Sequence, residues 1–480
     1  MTTLLRAAAI GVAVISLTAQ LTVPATATPG KLKWGDCPPD SGAFQQTTCA
    51  TLKVPLDYAR PSGQQITLTI SKVGDLTAPR VLLTNPGGPG VPGIGMEQGI
   101  RVSLPQKLYD QYAVLSFDPR GVGDSTPVNC GDFGKLDKHP TAPYRPANAQ
   151  QEQRRVQQAK QVAEQCGRKA KDLLPYITTE NAARDLDRIR IALGRDKIDY
   201  LGYSYGTKLG AMYATVFPQH TGRMILNSVV DPLTSTYRQS FAQNAGFQTR
   251  AQAMFQWIAT RDKTYHLGKT AKAVQASWQK VRSDAAKKPF GARAGINEVD
   301  DTLVGVLYSD GLWSSLADAV VQLRKGHPDD LLALVDQYGL GSVDPGLLAY
   351  SCTDPGWPHS WTRAHLDTTV SDRRAPLVAW GNTWFTAPCV FWPTGPVRQT
   401  RIGSAKVPPI LLIQPRYDAA TPLLGAQRMQ AVLAGSRMLV KNDGNHAAYL
   451  TEQNDCVNSR AEKYLLTGAL PANTTCPAST

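Results

Sequence analysis

The chain has 480 residues, 42% of them hydrophobic, which is ample material for a core and more than one domain of about 100–200 residues requires. Its formal charge of +13 is spread over scattered Lys and Arg, with one basic amphipathic stretch from Arg154 to Lys171. No aromatic residues interleave with that stretch, so nucleic acid is excluded as a partner. A solvated helical face accounts for it, with some affinity for anionic cell-wall material.

Residues 1–27 read as a secretory signal peptide: a short basic n-region, the apolar run Ala7 to Leu17, and a small-residue site at Ala25-Thr26-Ala27. The run is shorter than the roughly 20 residues a membrane span needs, and no later segment reads as a span. Eight cysteines in an exported chain imply disulfides. On the order of a hundred connectivities are open. Their order along the chain groups them as four local pairs: Cys37 with Cys49, Cys130 with Cys166, Cys352 with Cys389, and Cys456 with Cys476. No spacing suggests a zinc site, and no metal or organic cofactor is called for.

Ala50–Tyr58 and Gln65–Val73 alternate apolar and polar residues, as an antiparallel hairpin at a sheet edge does. Arg80–Thr84 is a buried strand that runs into Asn85-Pro86-Gly87-Gly88-Pro89-Gly90. No Lys-Ser/Thr follows, which argues against a phosphate loop, and backbone N–H groups presented to an oxyanion fit better. Ala113–Phe117 is the next strand, and residues 126–175 form an irregular insert with one polar helix. Thr178–Leu193 has apolar residues at helical spacing.

Then comes Gly202-Tyr203-Ser204-Tyr205-Gly206, with a strand signal at Lys197–Leu201 before it and a helix signal at Thr207–Val216 after it. A strand turning at once into a helix lifts the Ser204 hydroxyl clear of the sheet and tolerates only small neighbours. Ser204 is therefore the candidate nucleophile. After the strand Arg223–Val230 the alternation of strand and helix breaks. Asp231 to about Arg401 is mostly helical in pattern, as a cap over the active face would be. Val407–Ile413 and Arg437–Lys441 restore the strands.

A nucleophilic serine needs a base and a group to orient it, in the order Ser, Asp or Glu, His. Asp418 follows the first of these late strands and His446 the second. His359 and His365, in the cap, are the rivals to His446, and Asp443 is the rival to Asp418. The expected oxyanion donors are the N–H of Tyr205 and that of Gly88. The expected organisation is an α/β-hydrolase fold, with a mostly parallel central sheet, helices on both faces and an inserted helical cap. Its divisions are 1–27 signal peptide, 28–230 first part of the core, 231–401 cap, and 402–480 C-terminal part of the core carrying acid and histidine.

The segments Asn85–Gly90, Asp118-Pro119-Arg120-Gly121, Gly202–Gly206 and the Asp418 and His446 loops resemble proline-iminopeptidase-type serine peptidases. Trp34-Gly35-Asp36-Cys37 and Tyr350-Ser351-Cys352-Thr353-Asp354 extend the resemblance to the secreted tripeptidyl aminopeptidases of filamentous soil bacteria. One departure is Pro86, which stands where the iminopeptidases carry a histidine. The resemblance implies a secreted monomeric exopeptidase that removes short peptides from free N-termini. An esterase or amidase acting on small substrates with the same triad is the alternative. An exopeptidase has to recognise an ammonium, and a partly buried ammonium needs a carboxylate. The candidates in the cap are Asp354, ranked first, then Glu298, Asp300, Asp301 and Asp310.

Overall fold

A computed structural model describes residues 32–133, 139–339, 344–395 and 397–479. The signal-peptide segment 1–27 lies outside the described residues. The chain opens with the antiparallel pair β1 (Thr48–Pro55) and β2 (Gln65–Val73), followed by β3 (Arg80–Asn85). Helices α1 (Met96–Ser103) and α2 (Gln106–Tyr109) lead to β4 (Tyr112–Phe117). The insert carries the 21-residue α3 (Ala149–Lys169), and α4 (Thr179–Ala192) then returns the chain to the sheet. Next come β5 (Ile198–Tyr203), α5 (Tyr205–Val216) and β6 (Thr221–Asn227).

Nine strands form one sheet in the order β1-β2-β4-β3-β5-β6-β7-β8-β9. Here β7 is Leu411–Pro415, β8 Arg437–Lys441 and β9 Thr474–Cys476, with α15 (Leu423–Val432) and α16 (Asp455–Thr467) between them. Pairing is antiparallel only at the β1/β2 and β2/β4 junctions and parallel from β4 to β9. The central strands are covered on both faces, so they read as continuous apolar runs, and β4 and β5 are buried at every position. Alternate side chains still go to opposite faces. Leu83, Leu115, Tyr200, Leu226 and Leu412 enter one core, while Leu82, Val114, Leu201, Ile225 and Leu411 enter the other.

Between β6 and β7 the described residues form the helices α6 (Thr236–Ala259), α7 (Asp262–Tyr265), α8 (Ala271–Lys287), α9 (Ile296–Val306), α10 (Trp313–Arg324), α11 (Asp329–Tyr338), α12 (Pro345–Thr353), α13 (Trp361–Asp372) and α14 (Ala379–Thr386). Phe255, Trp278, Leu303, Trp313, Leu316 and Leu331 give most of this segment a hydrophobic core of its own.

The boundaries differ from the sequence pattern where backbone chemistry intervenes. β7 starts at Leu411 rather than Val407, because Pro408 and Pro409 donate no ladder hydrogen bond. β6 stops at Asn227 rather than Val230, because Ser228 turns to φ 58°. A further strand, β9, follows the one that precedes His446. It is three residues long and mostly polar, and it carries no alternation signal. The disulfide Cys456–Cys476 ties it to α16. The remaining bridges join Cys37 to Cys49, Cys130 to Cys166 and Cys352 to Cys389. No described helix is long and apolar enough to cross a membrane.

Candidate active site

β5 ends and α5 begins on either side of a single residue, Ser204, held at φ 53° and ψ −123°. A non-glycine residue bears strain in that conformation and keeps it only where its surroundings enforce it. The enforcement is close packing. A Cβ on Gly206 would lie 2.8 Å from the Asn85 carbonyl, and one on Gly87, at φ 106°, would lie 2.5 Å from that of Tyr203. The loop after β3 therefore rests directly against the elbow. Tyr205 is the first residue of α5, so its N–H has no acceptor within the helix. Gly88, Ser204 and Tyr205 all line one cavity of about 420 Å³. Residues of α6, α9, α12 and α14 complete its walls, so it lies between the sheet's carboxyl end and the helical segment.

His446 sits in the loop after β8. Its Nδ1 lies 2.9 and 3.0 Å from the two carboxylate oxygens of Asp418. Its own N–H donates to the Tyr308 carbonyl at 2.8 Å, and the Tyr308 ring stands edge-on to the imidazole. Asp418 also accepts from the N–H groups of Ala420 and Thr421 and from the Thr421 hydroxyl. Burial opposes ionisation of this carboxyl. The His446 ring, the Thr421 N–H and the Ser228 hydroxyl outweigh it and hold the group below the ordinary aspartate value. Asp418 is thus an anion fixed against the imidazole.

The rivals are occupied elsewhere. Asp443 pairs at 2.6 Å with the fully buried Lys441, which also pairs with Glu452. His365 meets Glu152 at 2.6 Å, and His359 is exposed in the loop before α13.

The substrate-binding candidates separate in the same way. Glu298 does not line the cavity. Its carboxylate accepts from the Gly295 N–H at the head of α9, from the Thr141 N–H and hydroxyl, and contacts His139 Nδ1. It is a helix cap that fastens the insert. Asp354 does line the cavity, but its charge is already matched by Lys208, with Thr236 Oγ1 at 2.6 Å and Gln399 Nε2 at 3.1 Å. Asp300 is bidentate with Arg282, and Asp310 pairs with Arg250.

Asp301 is different. It lines the cavity, accepts a bond at 2.7 Å from the Tyr144 hydroxyl, and forms no ion pair among the described residues. Burial pushes its carboxyl up to about 7. The Tyr144 bond and the charge of Arg155 oppose that shift, and the neighbouring charges of Asp300 and Glu298 add to it. Tyr144, Tyr308, Asn227 and Ser228 were not singled out in the sequence, because they lie far along the chain from the motifs they touch. Two adjacent acids, Asp300 and Asp301, in a helix whose buried positions include Val299, Leu303 and Val306 were the one available signal. Among the described residues, no group of three or more His, Cys, Asp or Glu side chains is arranged to hold a metal ion.

A family model described as TAP-like protein matches residues 375–476, which include Asp418 and His446. The tripeptidyl aminopeptidase of Streptomyces coelicolor is 36% identical over 461 residues, covering 92% of this chain and 85% of that protein. The chain belongs to the tripeptidyl aminopeptidase family of serine hydrolases. Serine protease Hip1 of Mycobacterium tuberculosis is 32% identical over 460 residues, 88% of this chain and 86% of that protein. Carboxylesterase B from the same species is also similar, 31% identical over 472 residues, 91% of this chain and 88% of that protein. Such a family keeps a fold while its members' names span peptide and ester chemistry, so substrate has to be argued from the cavity.

Proposed function

We propose that this chain is a secreted serine exopeptidase that releases short peptides from free N-termini through an acyl-enzyme. His446 takes the Ser204 proton as Oγ attacks the scissile carbonyl. Asp418 holds the Nδ1–H tautomer and stabilises the imidazolium without itself taking a proton. The N–H groups of Gly88 and Tyr205 receive the oxyanion, a contribution of about 3–4 kcal/mol per donor. His446 then protonates the leaving amine, and water, activated the same way, releases the acyl group from Ser204. The helices between β6 and β7 act as the cap that closes the cavity and sets how much peptide enters. The segment 1–27 and four disulfides support export to an oxidising compartment.

The observation that carries the peptide reading is Asp301, a cavity carboxylate that forms no ion pair among the described residues, in the space that Ser204 faces. A substrate ammonium supplies the missing charge. The cavity volume falls within the range of about 300–1,000 Å³ usual for small-ligand sites, so a short peptide segment is the natural occupant. The ester reading has its own support in the carboxylesterase relative, and the triad serves either leaving group.

The test is a matched set of substrates: tripeptide p-nitroanilides with free and with acetylated N-termini, beside a p-nitrophenyl ester. Acetylation leaves Asp301 unpaired against a neutral group. Loss of a buried pair, about 3–5 kcal/mol, corresponds to roughly 10²–10⁴-fold in kcat/KM. Equal rates for the acetylated and free peptides would move the assignment to the esterase.

A further inference from the structure

Four non-glycine residues with left-handed backbones gather at the carboxyl end of the sheet: Ser204 (φ 53°), Ser228 (58°), Ala447 (76°) and Leu450 (61°). The elbow explains Ser204. Ser228 is the residue at which β6 ends, and it is completely buried. Glycine adopts that conformation freely, whereas serine bears strain in it, so a hydroxyl retained there calls for a reason.

The hydrogen bonds supply one. At the tip of β6, the Asn227 carbonyl accepts from the Ser204 N–H at 3.0 Å, and the Ser228 N–H donates to the Ile413 carbonyl at 2.9 Å, on the strand that leads to Asp418. Asn227 Oδ1 accepts from the Ala448 N–H at 3.1 Å, and Ser228 Oγ from the Ala447 N–H at 2.7 Å. Two adjacent residues thus bond to the elbow, the acid strand and the histidine loop together. Ala447 follows His446 directly and is itself strained, so the hydroxyl that pins its N–H fixes where the imidazole stands. The hydroxyl's own proton remains free to donate, and Ser228 is among the groups that keep Asp418 ionised.

We infer that Ser228 is a positioning residue for hydrolysis at Ser204, its hydroxyl pinning the His446 loop at Ala447 and its N–H bonded to the strand that leads to Asp418, so that the imidazole is held in register between acid and nucleophile. The inference rests on the assignment of Ser204, His446 and Asp418 made above. It does not depend on whether the substrate is a peptide or an ester. Misplacement of a catalytic group by about 1 Å costs on the order of 10²-fold in rate, and loss of this anchor falls in that class.

The experiment uses the purified full chain and two variants, Ser228→Ala and Ser228→Gly. The second removes the backbone strain together with the hydroxyl, so it folds even where the first does not. A fluorophosphonate probe is applied first. Labelling of the wild type at Ser204 upholds the assignment, and no labelling there overturns both it and this inference. With labelling established, the expected result is a kcat lower by about 10²-fold in Ser228→Gly, KM within about twofold, and a parallel fall in the labelling rate. Without the hydroxyl, more of the Asp418 charge falls on the imidazolium and stabilises it. The acid limb of the pH–kcat profile therefore moves to higher pH, which a purely structural role would not cause. A folded Ser228→Gly protein with wild-type kcat, or one whose defect lies in KM alone, overturns the inference.

Discussion

The carboxyl end of the sheet and the helical segment above it form two sides of the same cavity and are built on different principles. On the sheet side, position is enforced by the backbone. Left-handed non-glycine residues, glycines packed too tightly for a Cβ, and bonds between the tips of β5, β6, β7 and β8 leave Ser204, Asp418 and His446 little freedom. On the helical side, position is enforced by side chains. Carboxylates are matched one by one, Asp354 to Lys208, Asp300 to Arg282, Asp310 to Arg250, and Glu298 caps a helix. Chemistry thus sits where the fold tolerates least variation. The proposed recognition sits at Asp301, the cavity carboxylate that forms no ion pair among the described residues.

Changes on the sheet side remove the reaction altogether. Ser204→Ala is expected to lower kcat by about 10⁶-fold with any substrate, since triad members act as a unit. Its urea midpoint is expected to match the wild type, because the alanine keeps the backbone contacts of the elbow. Residual turnover of the ester alone would show that a second nucleophile handles esters and would break the symmetry of the site.

On the helical side the largest effect belongs to Asp301, and it is confined to substrates with a free amine. Asp301→Asn is expected to lose about 10²–10⁴-fold in kcat/KM on free-amine peptides and little on the ester. The pH dependence separates the two sides of the cavity further. With its carboxyl pushed up to about 7, Asp301 in the free enzyme is neutral below that pH and cannot pair with an ammonium. The ratio of kcat/KM for peptide to that for ester therefore falls as pH drops through about 7, and it is flat in Asp301→Asn. Stability runs the opposite way. Between the ordinary aspartate value of 3.8 and about 7, the folded state holds a proton that the unfolded state has released. Folding is then weakened as pH rises through that window. Asp301→Asn removes the penalty, so the variant resists urea better than the wild type at pH 8, a trade of stability for function.

The same division explains what the sequence made legible. Ser204, Asp418 and His446 each follow a strand whose apolar run is readable locally, and the glycines beside them report steric demands made within a few residues. The mostly parallel sheet with helices on both faces was legible for the same reason. The partners of Asp354 and Glu298 were not legible, because a buried acid looks the same in sequence whether its partner is a ligand or another part of the chain. The partners here, Lys208 and Thr141, lie 146 and 157 residues away. The strand β9 escaped because three polar residues pair with β8 through a register that no pattern encodes.

Asp354 tests whether a matched carboxylate in the cavity contributes to recognition. Its removal leaves Lys208 largely buried without a counter-charge, which destabilises the fold by about 3 kcal/mol or less, given the partial exposure of the lysine. Asp354→Asn is expected to lower the urea midpoint and leave the free-to-acetylated ratio of kcat/KM within about twofold. A collapse of that ratio would mean that Asp354, rather than Asp301, holds the amine.

The smallest effect is expected at Glu298, a carboxylate that does not line the cavity. Its side chain is almost fully buried and satisfies the N–H of Gly295, at the first turn of α9, and the N–H of Thr141 in the insert. Glu298→Ala leaves both donors buried without an acceptor, and an unmade bond of that kind costs about 1–3 kcal/mol. Water can reach the partly exposed Thr141 side of this contact, so the lower end of that range applies. Glu298→Gln keeps an acceptor oxygen for the helix head and is expected to recover most of the loss. Asp301 sits three residues further along α9, on the turn that Glu298 caps. Loosening that turn is therefore expected to raise KM for the free-amine peptide by a few-fold while kcat on the ester stays at the wild-type value. Equal losses with peptide and ester would show that the cap grips the sheet loops as well as the recognition helix, and the two sides of the cavity would then have to be treated as one mechanical unit.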